Sequence, residues 1–563
     1  MVSRFQAVDS ELRQSSGPGS HVSWGRWTWA LVAVVVTGAC VRLWGLGSQS
    51  LWVDEIITLK AADVGGTFGP SDFVGTIQGP LHAFIVHWIS RLSMDEAALR
   101  SVSAAAGILT IPVVAELGLR MFDRRTGFVA ALLFALSPYS VWYSQEVRNY
   151  SLLILASALA TLAVWRLLHD RRPPFASYVA ATVSALYLNL SAVFMAAGHG
   201  LYLLLGLRSS RRRLLAWAAA AVLIVVLFVP GMWSIVRWAG AGGVDDHVGL
   251  ATAVDEEDLL RGDTTFTPAA LPYSIYAMVY GYSLGPTLTE LHTRPPMEAI
   301  LSHTPIVAAG GLVMAAALLL GLVRLWTRRK AGALVLVTII VPALGAVVLA
   351  LANIKPFNVR YLSPGMPALV MLAAAGVGML RRRPAALLCA ALVVLCGLSL
   401  WNYHADPSYG REDVRSAVEF VEQRERPGDV IFVPVVRDVF RHYYDGGAEL
   451  VVLYPGQAGS DAEVSRRVPD LLGDAERVWF VESRWWHVDP GRRIPTYLDA
   501  FYRPVEEASF PGVTVTLYGA RSEAGPGSDV SEGSHPVSGD TTFVAERGDC
   551  PRPNAVTVAR VML

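Results

Sequence analysis

Residues 211–233 read RRRLLAWAAAAVLIVVLFVPGMW, three arginines followed by twenty residues without a charge. A helix needs about 20 apolar residues to cross the hydrocarbon of a bilayer, so the stretch reads as a membrane span. Lys and Arg collect in short cytoplasmic loops, and the arginines therefore mark its cytoplasmic end. These two signals, followed outward along the chain, decide the architecture.

Comparable apolar runs occupy 27–46, 97–121, 128–146, 150–168, 175–190, 192–207, 214–236, 304–325, 332–352, 363–380 and 385–402, about eleven candidate spans. Basic clusters stand at Arg124 and Arg125, Arg171 and Arg172, Arg211 to Arg213, Arg328 to Lys330, and Arg381 to Arg383. Each follows an even-numbered span, so an N-terminus inside makes all five cytoplasmic and leaves the C-terminus outside. Residues 79–93 (GPLHAFIVHWISRLS) are apolar too, but they are short and carry His82, His87 and Arg91. Counting them as a span would put the later clusters outside, so they read as an amphipathic helix along the outer interface.

Composition agrees. Of the 563 residues 53% are hydrophobic and 17% charged, where soluble domains carry about 25% charged residues. Mean hydropathy is +0.41. The formal net charge is zero, so no global field argues for a nucleic-acid partner. Of the cysteines, Cys40, Cys389 and Cys396 sit in apolar runs and Cys550 alone lies in a soluble stretch. That pattern supports neither a disulfide framework nor a zinc ribbon. The polar start reads as a cytoplasmic tail over 1–26, leading into an uncleaved first span.

The expected fold is a polytopic α-helical membrane domain over 27–402, with outer loops at 47–95 and 237–303. After about 403 the character changes. Helix-like REDVRSAVEFVEQRE (411–425) precedes strand-like VIFVPVV (430–436), ELVVLY (449–454) and RVWFVES (477–483), and helical YLDAFY (497–502) precedes strand-like VTVTLY (513–518). Such alternation predicts a small extracytoplasmic α/β domain over 403–520. The Gly/Ser/Pro-rich 521–563 reads as a disordered tail.

Just past the first span comes LGSQSLWVDEIITL (46–59), which places Asp54 and Glu55 among Leu51, Trp52, Val53 and Ile56. Carboxylates in an apolar, interfacial setting are partly desolvated, and one poised there can take a proton from an acceptor hydroxyl. The residues alone leave a second reading open, a helix N-cap with a dipole-stabilising acid.

The stretch LGSQSLWVDE, followed by GPLHAFIVHW and later YSQEVRNY (143–150), resembles the C-class integral-membrane glycosyltransferases. Within that class it is closest to the protein mannosyltransferase and lipopolysaccharide-type families that use polyprenyl-phosphate sugars. The resemblance covers roughly 27–205 well and the later spans by arrangement. It implies a catalytic role for Asp54 as base, with Glu55 beside it. It also implies an active-site place for the junction acid Glu146, with Arg148, Tyr150 and His82 beside it, orienting the acceptor or holding a divalent metal of unknown identity; an interfacial Arg–Glu pair with a Tyr belt anchor is the competing reading. Where many relatives carry HPPLxY this chain has GPLHAF, which displaces the histidine to His82.

A lipid-phosphate donor needs cations beside the membrane on the reacting side. Lys355, Arg360 and Tyr361 in NIKPFNVRYLSP (353–364) fall in a short outer loop and break the charge parity there. The planar fork of Arg suits phosphate oxygens, and an RYxxP sequence before a late span recurs in the class. Plain interfacial snorkelling is the competing reading. His199, inside the sixth span, reads as a packed, hydrogen-bonded histidine. Asp245, Asp246 and His247, with Asp255 to Asp258 nearby, read as a solvated acidic loop.

The expected function is transfer of a hexose or pentose, with inversion, from a polyprenyl-phosphate donor to a cell-envelope glycan, lipid or protein. It would take place at the outer face of the plasma membrane. No GxGxxG or Walker sequence argues for a nucleotide. A transporter or lipid flippase is the alternative. It would hold ionisable groups near the midplane and show repeated halves, whereas here the notable acids follow the first and third spans.

Overall fold

Each of the eleven apolar segments falls on a helix in a computed structural model, which describes residues 25–76, 79–208, 210–240, 268–352, 357–453 and 460–521. Seven described helices are long and apolar enough to cross a membrane: Glu96–Met121, Tyr150–His169, Arg211–Ser234, Thr304–Thr327, Arg329–Leu351, Val359–Met379 and Arg382–Ala405. The pair Arg124–Ala135 and Pro138–Ser144, bent by 54°, makes eight if it is one span. Trp27–Leu43, Phe175–Leu188 and Ala192–Gly206 are shorter. At 1.5 Å per residue the last two reach only about 21–23 Å, less than the roughly 30 Å hydrocarbon core. The chain is a multi-pass membrane protein, and helix length alone carries seven or eight spans rather than about eleven.

The bend has a chemical cause. Pro138 has no N–H, so the carbonyls of the preceding turn lose their helical partner. Arg42, fully buried in the first helix, serves them instead: Nη2 donates to Phe134 O at 3.0 Å and Nη1 to Ala135 O at 2.7 Å. Gly107 gives the guanidinium room, since a Cβ there would come within 2.8 Å of Arg42 Nε.

The basic clusters gather at one end of the bundle. Arg125 donates to Leu380 O, Asp123 pairs with Arg324, Arg120 with Asp170, and Arg213 reaches Asp170 O. The 26-residue helix Glu96–Met121 runs from that end to the first loop. One level of the bundle is thus arginine-rich and the other carries the first loop with Asp54 and Glu55.

At the loop end sits the small α/β domain, whose five-stranded sheet has the order β2-β1-β3-β5-β4. Strands β1 (Val430–Phe432), β2 (Glu449–Val451) and β3 (Arg477–Glu482) are parallel, and β4 (Tyr502–Phe510) and β5 (Val513–Ala520) form an antiparallel hairpin. Strand β4 is not legible in the sequence. It is an exposed edge carrying Pro504, Glu506 and Glu507, with a register shift between Pro504 and Glu506. These are the residues that blunt an edge and dilute its alternation.

The domain shares a core with the first loop. Leu51, Ile56, Leu59, Ala83 and Val86 pack in one cluster with Val414, Val418, Val435, Phe440 and Val515. Ser50 Oγ donates to Glu412 O at 2.7 Å, and Arg415 pairs with Glu96 at 2.8 Å. The helix expected over 79–93 is present as Pro80–Ser90. It buries His82, Ala83, Val86 and His87 and exposes Phe84 and Trp88. Residues 1–24, the acidic stretch 241–267 with Asp245, Asp246 and His247, and the tail from 522 lie outside the described residues.

Candidate active site

The helix Val53–Ala61 starts immediately after Trp52, which puts Asp54 and Glu55 in its first turn. Successive helical residues diverge by about 100°, and the two carboxylates part accordingly. Glu55 turns inward and is fully buried. Arg100 Nε and Nη2 donate to its two oxygens at 2.9 and 2.7 Å, Val147 N donates at 2.7 Å, and Trp52 N closes the cap at 3.3 Å. Arg100 also donates to the carbonyls of Leu46, Gln49 and Ser50 at 2.8–3.1 Å. Glu55 therefore answers to the helix-cap reading, and no oxygen of it is left for substrate.

Asp54 turns away from Arg100 and stays partly exposed. Its Oδ2 lies 2.7 Å from Arg360 Nη1 and 3.7 Å from Arg148 Nη2. Arg148 Nη1 donates also to Asp54 O at 3.1 Å and Thr58 Oγ1 at 3.2 Å, and its guanidinium stands 5.8 Å from the Tyr150 ring centroid. Burial works to raise the Asp54 carboxyl, but the fields of Arg148 and Arg360 outweigh it and hold it below the usual carboxylate range. Three residues from three distant segments thus meet in one charged cluster.

Glu146 lies in the same junction, nearly fully buried, and faces Arg411 at 3.2 Å without forming a hydrogen bond. Burial, opposed by Arg411 and helped by Glu55 and Asp54, raises its pKa to about 7. His82 is buried with Nε2 unpartnered, and burial together with Arg148 lowers it to about 3, so it is neutral at physiological pH. Gly79, just ahead of it, has φ +71, and a Cβ there would come 2.6 Å from Asn149 Nδ2. That close approach is what seats the GPLH helix against the 146–150 junction.

Tyr150 is buried, and Tyr361 packs partly against the helical core. Lys355 lies outside the described residues. His199 is buried and meets Thr161 Oγ1 at 3.2 Å, a packed histidine as expected. Among the described residues no group of three or more His, Cys, Asp or Glu could hold a metal ion. Glu146, the carboxylate without hydrogen bonds, has an arginine for its neighbour, a donor set that does not fit a divalent cation.

Sequence reasoning missed Arg100, Arg411, Glu412 and Arg484. Arg100 left a trace, a lone charge at the mouth of an apolar helix. The others lie in or beside the small domain, and only docking brings them to the site.

The raised Glu146 carboxyl has a consequence for stability. Its protonated form is favoured by the fold, so its contribution is full below about 4.5 and lost as pH rises through about 7. Between those values the wild-type melting temperature should fall more steeply than that of Glu146→Gln. Parallel curves in a thermal-melt series would show an unperturbed carboxyl.

Residues 77–233 match the family described as dolichyl-phosphate-mannose-protein mannosyltransferase. No curated protein matches the sequence. The fold is similar to that of ArnT from Cupriavidus metallidurans in the apo state, with TM-score 0.52 and 14% identity over 87% of this chain and 97% of that one. With the same protein bound to undecaprenyl phosphate the values are 0.54 and 14%, over 89% and 100%. In motif and in fold the chain resembles the C-class membrane glycosyltransferases.

Proposed function

We propose that this protein transfers a sugar from a polyprenyl-phosphate donor to an acceptor hydroxyl, with Asp54 as general base and inversion at the anomeric carbon. The observation that carries this reading is the cluster of Asp54, Arg148 and Arg360, half-buried at the end of the bundle away from the arginine-rich loops. Parity of those loops supports a place for the cluster on the extracytoplasmic side, and the membrane we propose is the plasma membrane. Two guanidiniums against one carboxylate leave an excess positive charge, suited to a phosphodiester anion.

The donor phosphate competes with Asp54 for Arg360. As the arginine turns to the phosphate, the Asp54 carboxylate loses part of the field that holds its pKa down and becomes a better proton acceptor. The acceptor hydroxyl gives its proton to Asp54 and its oxygen bonds to the anomeric carbon. The bond from that carbon to the phosphate oxygen breaks, and the lipid phosphate leaves with the electron pair. Attack opposite the leaving group inverts the centre.

Glu55 acts as a positioning residue, holding the first turn of the helix against Arg100. Tyr150 flanks the Arg148 guanidinium, while Glu146 and His82 border the cluster on the acceptor side. Lys355 and Tyr361 complete the donor loop on sequence grounds. The acceptor is a cell-envelope molecule.

The test is incubation of the purified protein in nanodiscs with polyprenyl-phosphate hexoses and pentoses, reading released lipid phosphate. No release with any donor overturns the reading. A charge-assisted hydrogen bond contributes about 1.5–3 kcal/mol, so Arg360→Ala should raise the donor KM about tenfold or more. Arg360→Lys should recover part of the loss, because it restores charge without the fork. Wild-type donor kinetics in both variants would remove Arg360 from the phosphate site.

A further inference from the structure

The turn that carries Arg360 is tied to a residue far from it in sequence. Arg360 lies in the 3₁₀ turn Val359–Gly365, and Asn358 caps that turn by accepting from Arg360 N at 3.1 Å. Ser363 Oγ donates back to Arg360 O at 2.7 Å. The Tyr139 hydroxyl lies 2.8 Å from the same Ser363 Oγ and 3.4 Å from Val359 O. A serine hydroxyl has a single proton, and that of Ser363 goes to Arg360 O. Tyr139 is therefore the donor in the 2.8 Å contact. The chain runs one way, from Tyr139 O–H to Ser363 and from Ser363 O–H to Arg360. Tyr139 and Ser363 are both fully buried.

Tyr139 is itself held in place. It is the second residue of Pro138–Ser144, the half of the bent helix pair that follows the proline. Arg42 Nη2 donates to Ser140 Oγ at 2.9 Å, and Ser140 N donates to Ser137 Oγ at 3.2 Å. Gly281, with φ +72, approaches on the other side, where a Cβ would come 2.8 Å from Pro138 Cβ. The Tyr139 ring packs edge-on against Tyr143, 4.7 Å between centroids. Phenylalanine would fill the same space, so packing alone does not call for the hydroxyl. A buried hydroxyl is found where it has a partner, and this one has its partner in the turn of Arg360.

We infer that Tyr139 is a positioning residue for the donor phosphate, acting through Ser363 on the backbone of Arg360. The inference rests on the glycosyl-transfer reading, in which Arg360 binds that phosphate, and adds a residue to it. Arg360 must serve two partners, Asp54 Oδ2 at 2.7 Å in the structure and the phosphate once donor binds. Its side chain is long, so a small rotation at the backbone displaces the guanidinium much further. Bonds to N and O of Arg360 fix the root of the side chain while the guanidinium exchanges partners. Preorganisation of this kind lowers the cost of binding. The Tyr139 and Ser363 hydroxyls bond to each other and to the turn, so their loss should fall on the donor.

The test uses the full chain in nanodiscs, with a donor and acceptor that support transfer. Tyr139→Phe should raise the donor KM about threefold to tenfold, the range of one ordinary hydrogen bond. The acceptor KM and kcat should move by less than about twofold. Added to Arg360→Ala, the same change should shift the donor KM by less than about twofold, because a positioning residue has no effect once the group it positions is gone. Ser363→Ala should repeat the donor shift. Affinity for bare polyprenyl phosphate, read without turnover, should fall in Tyr139→Phe and in Ser363→Ala alike. An unmoved donor KM, donor and acceptor KM rising together, or additivity with Arg360→Ala overturns the proposal. Failure of both single variants to fold overturns it too, since both residues would then be packing elements. Wild type that releases no lipid phosphate from any donor overturns the transfer reading instead, and the affinity for polyprenyl phosphate then still decides the role of Tyr139.

Discussion

Asp54→Asn should lower turnover at least about a hundredfold, since general-base catalysis contributes typically 10²–10⁴. The amide keeps size and hydrogen bonding but takes no proton. The same change should leave the donor KM unchanged or lower it, because Arg360 and Arg148 no longer divide their charge between Asp54 and the donor phosphate. A fall in kcat with a donor KM that does not rise is the signature of a base that also competes for the phosphate clamp. Measuring both constants in nanodiscs decides it. Near-normal kcat would overturn the base assignment, and a donor KM that rises sharply would make Asp54 a binding group.

The second large effect falls on stability. Arg100→Met should destabilise the protein by about 3–5 kcal/mol, the usual result of leaving a buried charge without its partner. Glu55 would keep only Val147 N and the cap bond to Trp52, and the carbonyls of Leu46, Gln49 and Ser50 would lose a shared donor. Against a total stability of about 5–15 kcal/mol, that loss should appear as a much lower melting temperature and poor recovery of folded protein. The double variant Arg100→Met with Glu55→Leu should recover part of it, because replacing both partners by apolar groups removes the orphaned charge. A single variant that melts with the wild type would show that the pair is not what holds the loop. The contrast with Asp54→Asn is itself informative: adjacent acids, one whose loss stops turnover in a folded protein, one whose partner's loss unfolds it.

That contrast marks where sequence reading ends. The acid pair was legible as a pair, in an apolar setting just past the first span, but a proton acceptor and a helix cap were both open readings; the cap contacts fall to Glu55, and Asp54 stands beside two arginines. A rotation of about 100° per helical residue sends Glu55 to Arg100 and Asp54 to Arg360. Nothing in LWVDEI says which direction faces the interior and which the partly exposed side. Arg360 stood out because it broke the parity of basic loops, and Arg148 through its junction with the third and fourth spans. Their meeting at Asp54, 306 positions apart in the case of Arg360, was not visible.

The sequence by itself determined what depends on near neighbours in the chain and on the solvent: apolar runs long enough to seek lipid, arginines that sort to one end of the bundle, and the switch to strand alternation after about 403. These signals survive in one dimension because hydrophobic transfer and charge placement act segment by segment. Tertiary structure alone decided the rest. Arg42 became a helix-bend partner and β4 an edge strand. Arg411, Glu412 and Arg484 reached the first outer loop from residues that sequence reading did not single out. Ion pairs and shared cores form between segments only after helices have packed and a domain has docked. Their energy depends on distances that no local pattern encodes, which is why the cluster of Asp54, Arg148 and Arg360 could be seen only in three dimensions.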